Sequence, residues 1–413
     1  MRLSMIGVGK LGQDCAEVLA EHYPMCGYDV HPRAPSNFPM ASDIQTAIEG
    51  ADFIFLAVPT PHEAGYGGET PTSHLQPKDF NYSILQNVAR ELAKHVKAEQ
   101  TIVIISTVLP GTVRTHIQPI LKHRRLIYNP YLIAMGSVKW DMRNPEMIIM
   151  GCEYPRDEPL LDELYEIYRP ILENAPRVVK GTWEEGEAIK IFYNTFISAK
   201  IGLVNMILDV AEKCGNINVD VVTSALKEST QRIMGPRYMH AGMGDAGACH
   251  PRDNIALRYM AQNLGLGYDL FEAIMSSREQ QAANLAERLV ALSTEHKLPI
   301  VIHGKAYKPM VAYTEGSYSL LVDHFIQEMG GNVEYVDPMT GDTRSSNGPA
   351  IFLLAHDANV TYANTGVDAS VAPSAYCDFP KGSVLLDPWR TMPPAADVIV
   401  VPYGNTRKHT EAG

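Results

Sequence analysis

Residues 3–29, LSMIGVGKLGQDCAEVLAEHYPMCGYD, decide the fold of the N-terminal part of this chain. An apolar run, Leu3–Ile6, leads into the spacing Gly-x-Gly-x-x-Gly, a helical stretch follows, and a second apolar run ends at Asp29. Strand, glycine turn, helix and strand in this order are typical of a nucleotide-binding unit. In such a unit the first glycine permits a tight turn, the second lets a pyrophosphate approach the backbone, and the third lets the helix pack on the strand.

The glycine turn predicts a dinucleotide site. We expect its contacts to come from Gly7, Val8, Gly9, Lys10, Leu11 and Gly12. Asp29 follows the last of these by 17 residues, where a carboxylate hydrogen-bonds a ribose 2′-hydroxyl and repels a 2′-phosphate. This favours NAD over NADP, although Arg33 is close enough in sequence to leave NADP open. A glycine turn that binds no nucleotide is the alternative.

Two polar turns are expected beside this site. One apolar run ends at Pro59 and Thr60, and another ends at Ser106 and Thr107. Ligands in open α/β sheets bind beyond the carboxyl ends of the strands. We therefore expect these four residues to line the nicotinamide side of the cleft, with ordinary turns as the alternative.

Short apolar runs alternate with helical stretches over residues 1–182. Strands that read as continuous apolar runs are typical of a parallel sheet covered on both faces. We therefore predict a doubly wound α/β domain over residues 1–182. Its predicted strands are Leu3–Ile6, Met25–Tyr28, Phe53–Val58, Thr101–Ile105, Leu126–Tyr128 and Met147–Met150.

A capping-box pair, Thr182 and Glu185, marks the start of a long helix that we expect to run to Cys214 and stop at Gly215. About 30 residues at 1.5 Å each span roughly 45 Å, typical of a helix that bridges domains or forms a subunit interface. Helical patterns continue over 220–228 and 253–292, which gives a central helical domain at 183–295. Five more apolar runs predict a second α/β domain at 296–413, with strands at 300–303, 333–336, 351–354, 384–386 and 398–401. The expected fold is two Rossmann-like, doubly wound domains joined by a long central helix and a helical dimerisation domain.

Composition and charge argue against several classes of protein. The 413 residues carry 35 Lys and Arg against 47 Asp and Glu, and the net charge of −12 has the wrong sign for a nucleic acid partner. The six cysteines contain no Cys-x-x-Cys pair, so we expect no metal site, no disulfides and reduced thiols in the cytoplasm. We see no signal peptide and no apolar stretch near the ~18 residues of a membrane span, so no membrane partner is expected.

A thiol among small residues marks a candidate reactive centre. In GMGDAGACHPRD, residues 242–253, Cys249 lies among glycines and alanines just before a helical pattern, where the helix N-terminus and Arg252 favour the thiolate. Lys190 and Asn194 stand four residues apart on the long helix, so they share a face and can converge on one ligand atom. Residue type alone leaves open an inert packed cysteine and a solvated Lys/Asn pair.

Eight motifs occur in one order along nearly the whole chain: GVGKLG, VPTP, STVLPGT, YNPYL, EAIKIFYNTFISAKIGLVN, GPRYMHAGMGDAGACHPRDNIAL, GKAYKP and VEYVDP. With these motifs the chain resembles the UDP-glucose/GDP-mannose dehydrogenase family, which oxidises a primary alcohol of a nucleotide sugar to a carboxylate. The resemblance implies two successive hydride transfers to NAD at one site, with a cysteine thioester before hydrolysis. It implies a UDP-sugar as the substrate, with UDP-glucose oxidised to UDP-glucuronate as the leading expectation.

The resemblance also implies roles for the matching residues. Cys249 would be the nucleophile that adds to the aldehyde. Lys190 and Asn194 would stabilise the oxyanion, and Asp253 with Thr107 and an ordered water would transfer protons. Substrate contacts would come from Tyr131, Leu132, Lys190, Asn194, Arg237, Gly244, Gly247, Tyr307 and Lys308. In this family the arginine in the place of Arg237 often reaches the sugar across a dimer interface, so a homodimer through the central helix is expected.

Four departures from the family pattern bear on these roles. Tyr131 stands where the family has a glutamate credited with general-base help, so hydrolysis is expected to depend on Asp253 and water, or to be slow. At the thiol, Arg252 replaces a lysine and His250 replaces an apolar or aromatic residue. Asp245 stands where the glycine loop often has an aromatic residue. In the last domain Glu315-Gly316-Ser317 replaces Arg-Glu-Ser.

Three alternatives remain at this point. GDP-mannose or a UDP-N-acetylhexosamine is an alternative substrate. A two-electron β-hydroxyacid dehydrogenase shares the nucleotide-binding domain and a helix with a catalytic Lys and Asn, but it needs no cysteine. The third is a nucleotide-sugar-binding protein that has lost catalysis, since Tyr131 and Glu315 break family positions.

Overall fold

The computed structural model describes residues 1–61, 75–76, 78–134, 136–154, 158–235, 241–245, 249–309, 311–356, 379–394 and 396–405. The chain forms two compact units, Met1–Gly202 and Leu203–Gly413. Each unit contains one β-sheet and its own apolar core.

The first unit contains a seven-stranded sheet. Its strands are β1 (Leu3–Ile6), β2 (Met25–Tyr28), β3 (Phe53–Leu56), β4 (Thr101–Ile104), β5 (Leu126–Tyr128), β6 (Met147–Cys152) and β7 (Arg177–Thr182). Their order across the sheet is β2-β1-β3-β4-β5-β6-β7. The direction of winding reverses between β1 and β3, and the crevice at that point is where open α/β sheets bind ligands.

Helices cover both faces of this sheet, because alternate strand residues point to opposite sides. The helices are α1 (Lys10–Ala20), α2 (Ile44–Ile48), α3 (Ser83–His95), α4 (Gln118–Leu121), which extends a π-helical turn at Val113–Ile117, α5 (Val138–Arg143) and α6 (Glu158–Tyr168). Leu3 and Met5 pack in the layer formed with α1, α5 and α6. Ile6 and Ile54 pack in the layer formed with α2, α3 and α4. The doubly wound fold predicted for this part of the chain is therefore confirmed.

The sheet differs from the prediction in the direction and number of its strands. We predicted an all-parallel sheet, but β6 pairs antiparallel with β5 through Tyr128 and Gly151, and β7 runs parallel to β6. Strand β7 was not predicted. It forms an edge of the sheet and is only half-buried, and its charged Arg177 and Lys180 hide it from a search for continuous apolar runs.

A helix of 32 residues, α7 (Trp183–Cys214), begins in the first unit and ends in the second. Its start is the predicted capping box, since the Glu185 carboxylate accepts from the Thr182 N–H at 2.9 Å and the Glu185 N–H donates to Thr182 Oγ1 at 3.3 Å. Its end is the predicted Gly215, with φ of +76°. By length and composition alone this helix could cross a membrane, so the expectation that no segment approaches that limit was wrong. Isolated polar residues such as Asn194 and Lys200 interrupt the apolar run in sequence without making the helix polar.

The second unit contains a five-stranded, all-parallel sheet. Its strands are β8 (Ile300–His303), β9 (Val333–Val336), β10 (Ile351–Leu354), β11 (Val384–Asp387) and β12 (Ile399–Pro402), in the order β12-β11-β10-β8-β9. Its helices are α8 (Val219–Lys227), α9 (Cys249–Asn263), α10 (Leu270–His296) and α11 (Tyr318–Glu328). Helices α10 and α11 cover one face, and Phe379, Trp389 and Met392 pack on the other.

One long helical pattern was predicted over 253–292, but the chain forms two helices there. Helix α9 ends at Asn263 and α10 begins at Leu270. Between them Gly265 and Gly267 have φ of +58° and +84°, a left-handed conformation that ends a helix. Asp269 then caps α10 by accepting from the Glu272 N–H at 3.0 Å.

Candidate functional site

The predicted glycine turn lies at the carboxyl end of β1 and has the close contacts that require glycine. Gly7 has φ of +96°, and a Cβ on it would lie 2.7 Å from the Ala57 carbonyl oxygen. A Cβ on Gly12 would lie 2.0 Å from the Gly7 carbonyl oxygen. A Cβ on Gly9 would meet nothing within 4 Å, so the backbone at this position is open to a ligand. The turn therefore has the packed first and third glycines and the open second glycine that a pyrophosphate site needs.

The start of α1 adds the attraction for an anion. Lys10 is the first residue of the helix, Gly9 is its N-cap, and no side chain caps it. The first N–H groups of a helix point out of its N-terminus and carry partial positive charge. Val8 is buried beneath the turn, while Lys10 and Leu11 are exposed above it. This end of α1 can bind the phosphates of a dinucleotide.

Asp29 follows β2, the strand next to β1. Its Oδ1 accepts from the His31 N–H at 2.8 Å and lies 3.5 Å from Arg33 Nε. The guanidinium of Arg33 is thus paired with the same carboxylate that would repel a 2′-phosphate. This arrangement supports the prediction of NAD.

The two predicted polar turns lie at the ends of adjacent strands, β3 and β4. The Thr60 hydroxyl donates to the Thr107 carbonyl oxygen at 2.6 Å, which ties the two turns together. Ser106 is buried, and its hydroxyl donates to the Val58 carbonyl oxygen at 2.5 Å. Pro59 is exposed and Thr107 is half-buried. The structure therefore brings the glycine turn and both polar turns to one edge of the sheet, with Thr60 and Ser106 holding the turns in place.

Lys190 reaches the same edge from α7. Its Nζ donates to the Tyr131 carbonyl oxygen at 2.7 Å, just beyond the carboxyl end of β5, the strand next to β4. Burial lowers the pKa of Lys190. Asn194, one helical turn further along, is exposed. A half-buried ammonium beside the β4 and β5 turns is suited to stabilise an oxyanion.

The phenol of Tyr131 does not take the place of a general base. Its hydroxyl is 2.8 Å from the Tyr168 hydroxyl, which donates to Asn129 Oδ1. Burial raises the pKa of Tyr131 well above its ordinary value, so the phenol stays protonated. Tyr131 and Leu132 line a cavity with Asn129 and Tyr168. The Tyr131 side chain, which replaces the glutamate, thus packs in an apolar layer. Lys190 contacts only the backbone oxygen of Tyr131.

In the second unit, the glycine loop before Cys249 packs on two aromatic rings. A Cβ on Gly242 would lie 2.2 Å from the Trp389 ring, and one on Gly244 would lie 2.2 Å from the Tyr318 ring. These glycines are therefore needed for packing, a role that sequence analysis did not foresee. Asp245 forms an ion pair with Arg278, whose guanidinium lies 5.4 Å from the centre of the Tyr318 ring. This pair explains why an acid is tolerated where the family often has an aromatic residue.

For four predicted site residues the structure describes no side chain. Arg237 and Gly247 lie outside the described residues. Of Cys249 and Asp253 the structure describes only the backbone, which belongs to α9. The sequence predicted Cys249 just before a helix that starts at Asp253, whereas the helix begins four residues earlier and Cys249 is the first of its 15 residues.

Tyr307 and Lys308 lie in the turn after β8. Lys308 Nζ is 5.2 Å from the centre of the Tyr307 ring, which packs edge-to-face on Tyr313. The Tyr307 N–H donates to the Tyr313 carbonyl oxygen at 2.9 Å. Glu315, a departure from the family pattern, accepts from the Tyr313 hydroxyl. The acid therefore supports the aromatic pair beside Lys308 and does not bind that lysine within the described residues.

Sequence analysis missed two buried carboxylates. Glu187 accepts from the Gly111 and Val113 N–H groups. Asp337 accepts from the Lys305 and Ala306 N–H groups, both at 2.8 Å. For Asp337 a signal was available, because it follows its strand as Asp29 follows β2. Glu187 stands close to Glu184 and Glu185 in the sequence, so nothing sets it apart there.

Comparisons with known proteins agree with this geometry. The profile of the UDP-glucose/GDP-mannose dehydrogenase family matches with its NAD binding domain over residues 27–171 and its central domain over residues 184–280. UDP-glucose 6-dehydrogenase TuaD of Bacillus subtilis is 28% identical over 305 residues, which are 72% of this chain and 62% of the relative. UDP-glucose 6-dehydrogenase of Rhizobium meliloti is 27% identical over 304 residues, 72% of this chain and 66% of the relative. The aligned region thus spans just under two thirds of the length of these relatives.

A solved structure shares the fold. The crystal structure of GDP-mannose dehydrogenase from Pseudomonas aeruginosa in a ternary complex has a TM-score of 0.77, with 20% sequence identity. The match covers 97% of this chain and 99% of that one. The α/β fold with two Rossmann-like sheets is therefore confirmed.

Proposed function

Because the chain belongs to the UDP-glucose/GDP-mannose dehydrogenase family, with that family's NAD binding domain, we propose that it oxidises the primary alcohol of a nucleotide sugar to a carboxylate. The proposed substrate is UDP-glucose and the proposed product is UDP-glucuronate. The observation that carries the proposal is the common edge of the first sheet. The glycine turn, the Thr60 and Thr107 turns and the Lys190 ammonium all lie there, on strands that neighbour one another.

In the proposed reaction NAD, when bound, accepts one hydride in each of two oxidations. In the first, the alcohol loses a proton to Asp253 and water beside Thr107, while Lys190 and Asn194 stabilise the alkoxide. The Cys249 thiol then adds to the aldehyde, which gives a thiohemiacetal. This adduct is again an alcohol, so a second hydride and a proton leave it as a thioester. Water cleaves the thioester to the carboxylate and returns the thiol.

The buried phenol of Tyr131 supports one detail of this proposal. Thioester hydrolysis needs a base to take a proton from water. Since Tyr131 stays protonated, Asp253 and water take that role, and hydrolysis becomes the slow step. Acyl-enzyme should then accumulate during turnover.

The experiment is a screen of the purified chain with UDP-glucose, GDP-mannose and a UDP-N-acetylhexosamine, each with NAD and with NADP. We expect the highest kcat/KM for UDP-glucose with NAD, measured from the absorbance of the reduced nicotinamide. Full turnover by a Cys249→Ala variant would instead support a two-electron β-hydroxyacid dehydrogenase. Tight calorimetric binding of UDP-glucose without NAD reduction over hours would support a binding protein that has lost catalysis.

We further propose a homodimer in the cytoplasm, with α7 at the interface. Phe192, Phe196 and Leu203 lie on one face of α7 and are 65%, 54% and 43% exposed. A second copy would remove this apolar stripe from water.

Light scattering after size exclusion tests the dimer. The wild-type chain is expected at twice its monomer mass, and a Phe192→Glu/Phe196→Glu variant at monomer mass. Ile399→Glu, which removes an equally exposed apolar side chain from β12, is the matched control and should stay dimeric. A wild-type monomer, or a protein that sediments with lipid vesicles, would contradict the proposal.

A further inference from the structure

Glu187 carries a fully buried carboxylate that has no role in the proposed reaction. It lies on the second turn of α7 and has no exposed surface. Its Oε1 accepts from the Val113 N–H at 2.8 Å, and its Oε2 accepts from the Gly111 N–H. A buried charge is costly unless the structure gives it specific partners. Here both partners are backbone N–H groups at the end of a single turn of the chain.

That turn, Ser106–Thr112, is the one that carries Thr107. We call it the β4 turn. Several contacts along its length hold it: Ser106 binds the Val58 carbonyl oxygen, Thr60 binds the Thr107 carbonyl oxygen, and the Tyr82 hydroxyl accepts from the Leu109 N–H at 3.2 Å. Glu187 holds the end of the turn. Gly111 has φ of +91°, so the chain reverses sharply at the point that Glu187 binds.

The same carboxylate is rigidly linked to Lys190. Residues three apart on a helix lie on the same face, so Glu187 and Lys190 project toward the same side of α7. Lys190 binds the Tyr131 carbonyl oxygen beyond β5, and Glu187 binds the β4 turn beyond the neighbouring strand. The helix is thus fixed to two adjacent turns by side chains one turn apart.

We infer that Glu187 is a positioning residue that ties the β4 turn to α7 and so fixes Thr107 relative to Lys190. The inference rests on the proposed function, in which Thr107 and Lys190 act on the same sugar alcohol. Misplacement of such groups by about 1 Å costs on the order of a hundredfold in rate. A tether between the two elements therefore has a direct consequence for catalysis.

The tether should depend on pH. Burial, with a smaller contribution from Glu184, raises the pKa of Glu187, while the two backbone N–H groups and Arg114 lower it, and the balance leaves the pKa at about 7. Only the carboxylate accepts at both oxygens. Protonation as the pH falls through about 7 therefore weakens one of the two hydrogen bonds to the β4 turn.

Hydrogen–deuterium exchange of the whole chain tests the tether without any substrate. In Glu187→Gln, the amides of residues 111 and 113 should exchange about tenfold faster, the effect of losing roughly 1.4 kcal/mol of local protection. Glu185→Gln changes the same charge two residues away and keeps the oxygen that accepts from Thr182, so it should match the wild type. In the wild type, relative to Glu187→Gln, protection should decline as the pH falls through about 7. Unchanged exchange at both amides would overturn the inference.

Kinetics test the consequence. Glu187→Gln should lower kcat for the nucleotide sugar on the order of tenfold to a hundredfold, with KM for the sugar changed less than about twofold. Faster exchange with wild-type kcat would overturn the positioning role. If no nucleotide sugar is oxidised even by the wild type, the proposed function fails, and the exchange measurement alone then supports or overturns the tether.

Discussion

The turns that follow β1 and β8 occupy the same place in two sheets, because the first five strands of the seven-stranded sheet have the order of the five-stranded one. Their backbone N–H groups, however, meet different partners. After β1 the chain enters α1 at once, and the open Gly9 caps a helix that no side chain caps. After β8 the N–H groups of Lys305 and Ala306 both donate to Asp337. The N–H groups of the first turn are open to an external anion, whereas the Asp337 carboxylate occupies those of the second turn.

The difference comes from two carboxylates at equivalent positions. Asp29 follows β2 and Asp337 follows β9, each on the strand beside the turn in question. Asp29 bonds within its own loop, to His31, and pairs with Arg33. Asp337 is buried and reaches across to the neighbouring turn. The comparison teaches that a Rossmann-like strand order does not by itself make a phosphate site. It favours side chains such as Tyr307 and Lys308, and not the backbone of this turn, for the nucleotide contacts that we propose in the second sheet.

The largest expected effect comes from closing the first turn. A Gly12→Ala variant places a Cβ 2.0 Å from the Gly7 carbonyl oxygen, and backbone on both sides cannot yield. We expect NAD affinity to fall by about a hundredfold or more, with a loss of stability of about 1–3 kcal/mol. Calorimetric titration with NAD and thermal melting measure the two effects. Wild-type affinity in this variant would mean that the glycine turn is not the cofactor site.

Opening the second turn should lower stability without changing NAD affinity. An Asp337→Ala variant leaves the N–H groups of Lys305, Ala306 and Met339 without their acceptor. We expect it to lower the free energy of unfolding by about 2–3 kcal/mol, since buried donors lose their partners. NAD affinity should equal that of the wild type. A large loss of NAD affinity at unchanged stability would show that the second turn takes part in cofactor binding.

Filling the open position in the first turn should weaken binding without affecting the fold. In Gly9→Ala the new Cβ meets no protein atom within 4 Å, so stability should stay within about 0.5 kcal/mol of the wild type. The methyl group stands where the pyrophosphate approaches, and we expect about a tenfold loss of NAD affinity. Equal losses of stability in Gly9→Ala and Gly12→Ala would contradict the distinction between an open and a packed glycine.

The smallest expected effect is a pH dependence at Glu17, which anchors the loop beyond Asp29 in the first unit. Burial would raise the pKa of Glu17, but hydrogen bonds from Lys139, the Ser36 N–H and Gln13 outweigh it and lower the pKa to about 2. Because the pKa is lower in the folded state, Glu17 stabilises the fold above its ordinary pKa of 4.5 and loses this contribution as the pH falls toward 2. Denaturant unfolding should show a loss about 1 kcal/mol larger in the wild type than in Glu17→Gln over that range. Parallel pH curves for the two proteins would refute the assignment.

Much of the fold followed from apolar runs, because buried parallel strands carry continuous apolar sequence. The strands Leu3–Ile6 and Ile300–His303 were predicted with their observed bounds, and Thr182 and Glu185 fixed the start of α7. Strand direction was not predictable for β6, since an apolar run has the same pattern in either direction. The charged edge strand β7 was missed for the opposite reason, because it is half-buried and breaks the run.

The cofactor turn was predictable from sequence, but the contacts that hold the site were not. Gly7 and Gly12 act within a few residues of each other, so their spacing is visible in the sequence. Glu187 binds a turn 74 residues away, and Gly244 packs on a ring from a separate helix. Such partners are chosen by tertiary structure, which is why Glu187 was missed and Gly244 was predicted only as a substrate contact.

The central proposal is that the chain carries an alcohol through two oxidations, and the yield of NADH tests it most directly. A limiting amount of UDP-glucose is consumed to completion with excess NAD, and reduced nicotinamide is counted against sugar lost. The account predicts about two NADH for each sugar, one for each hydride. A ratio of one with free aldehyde in solution would contradict it.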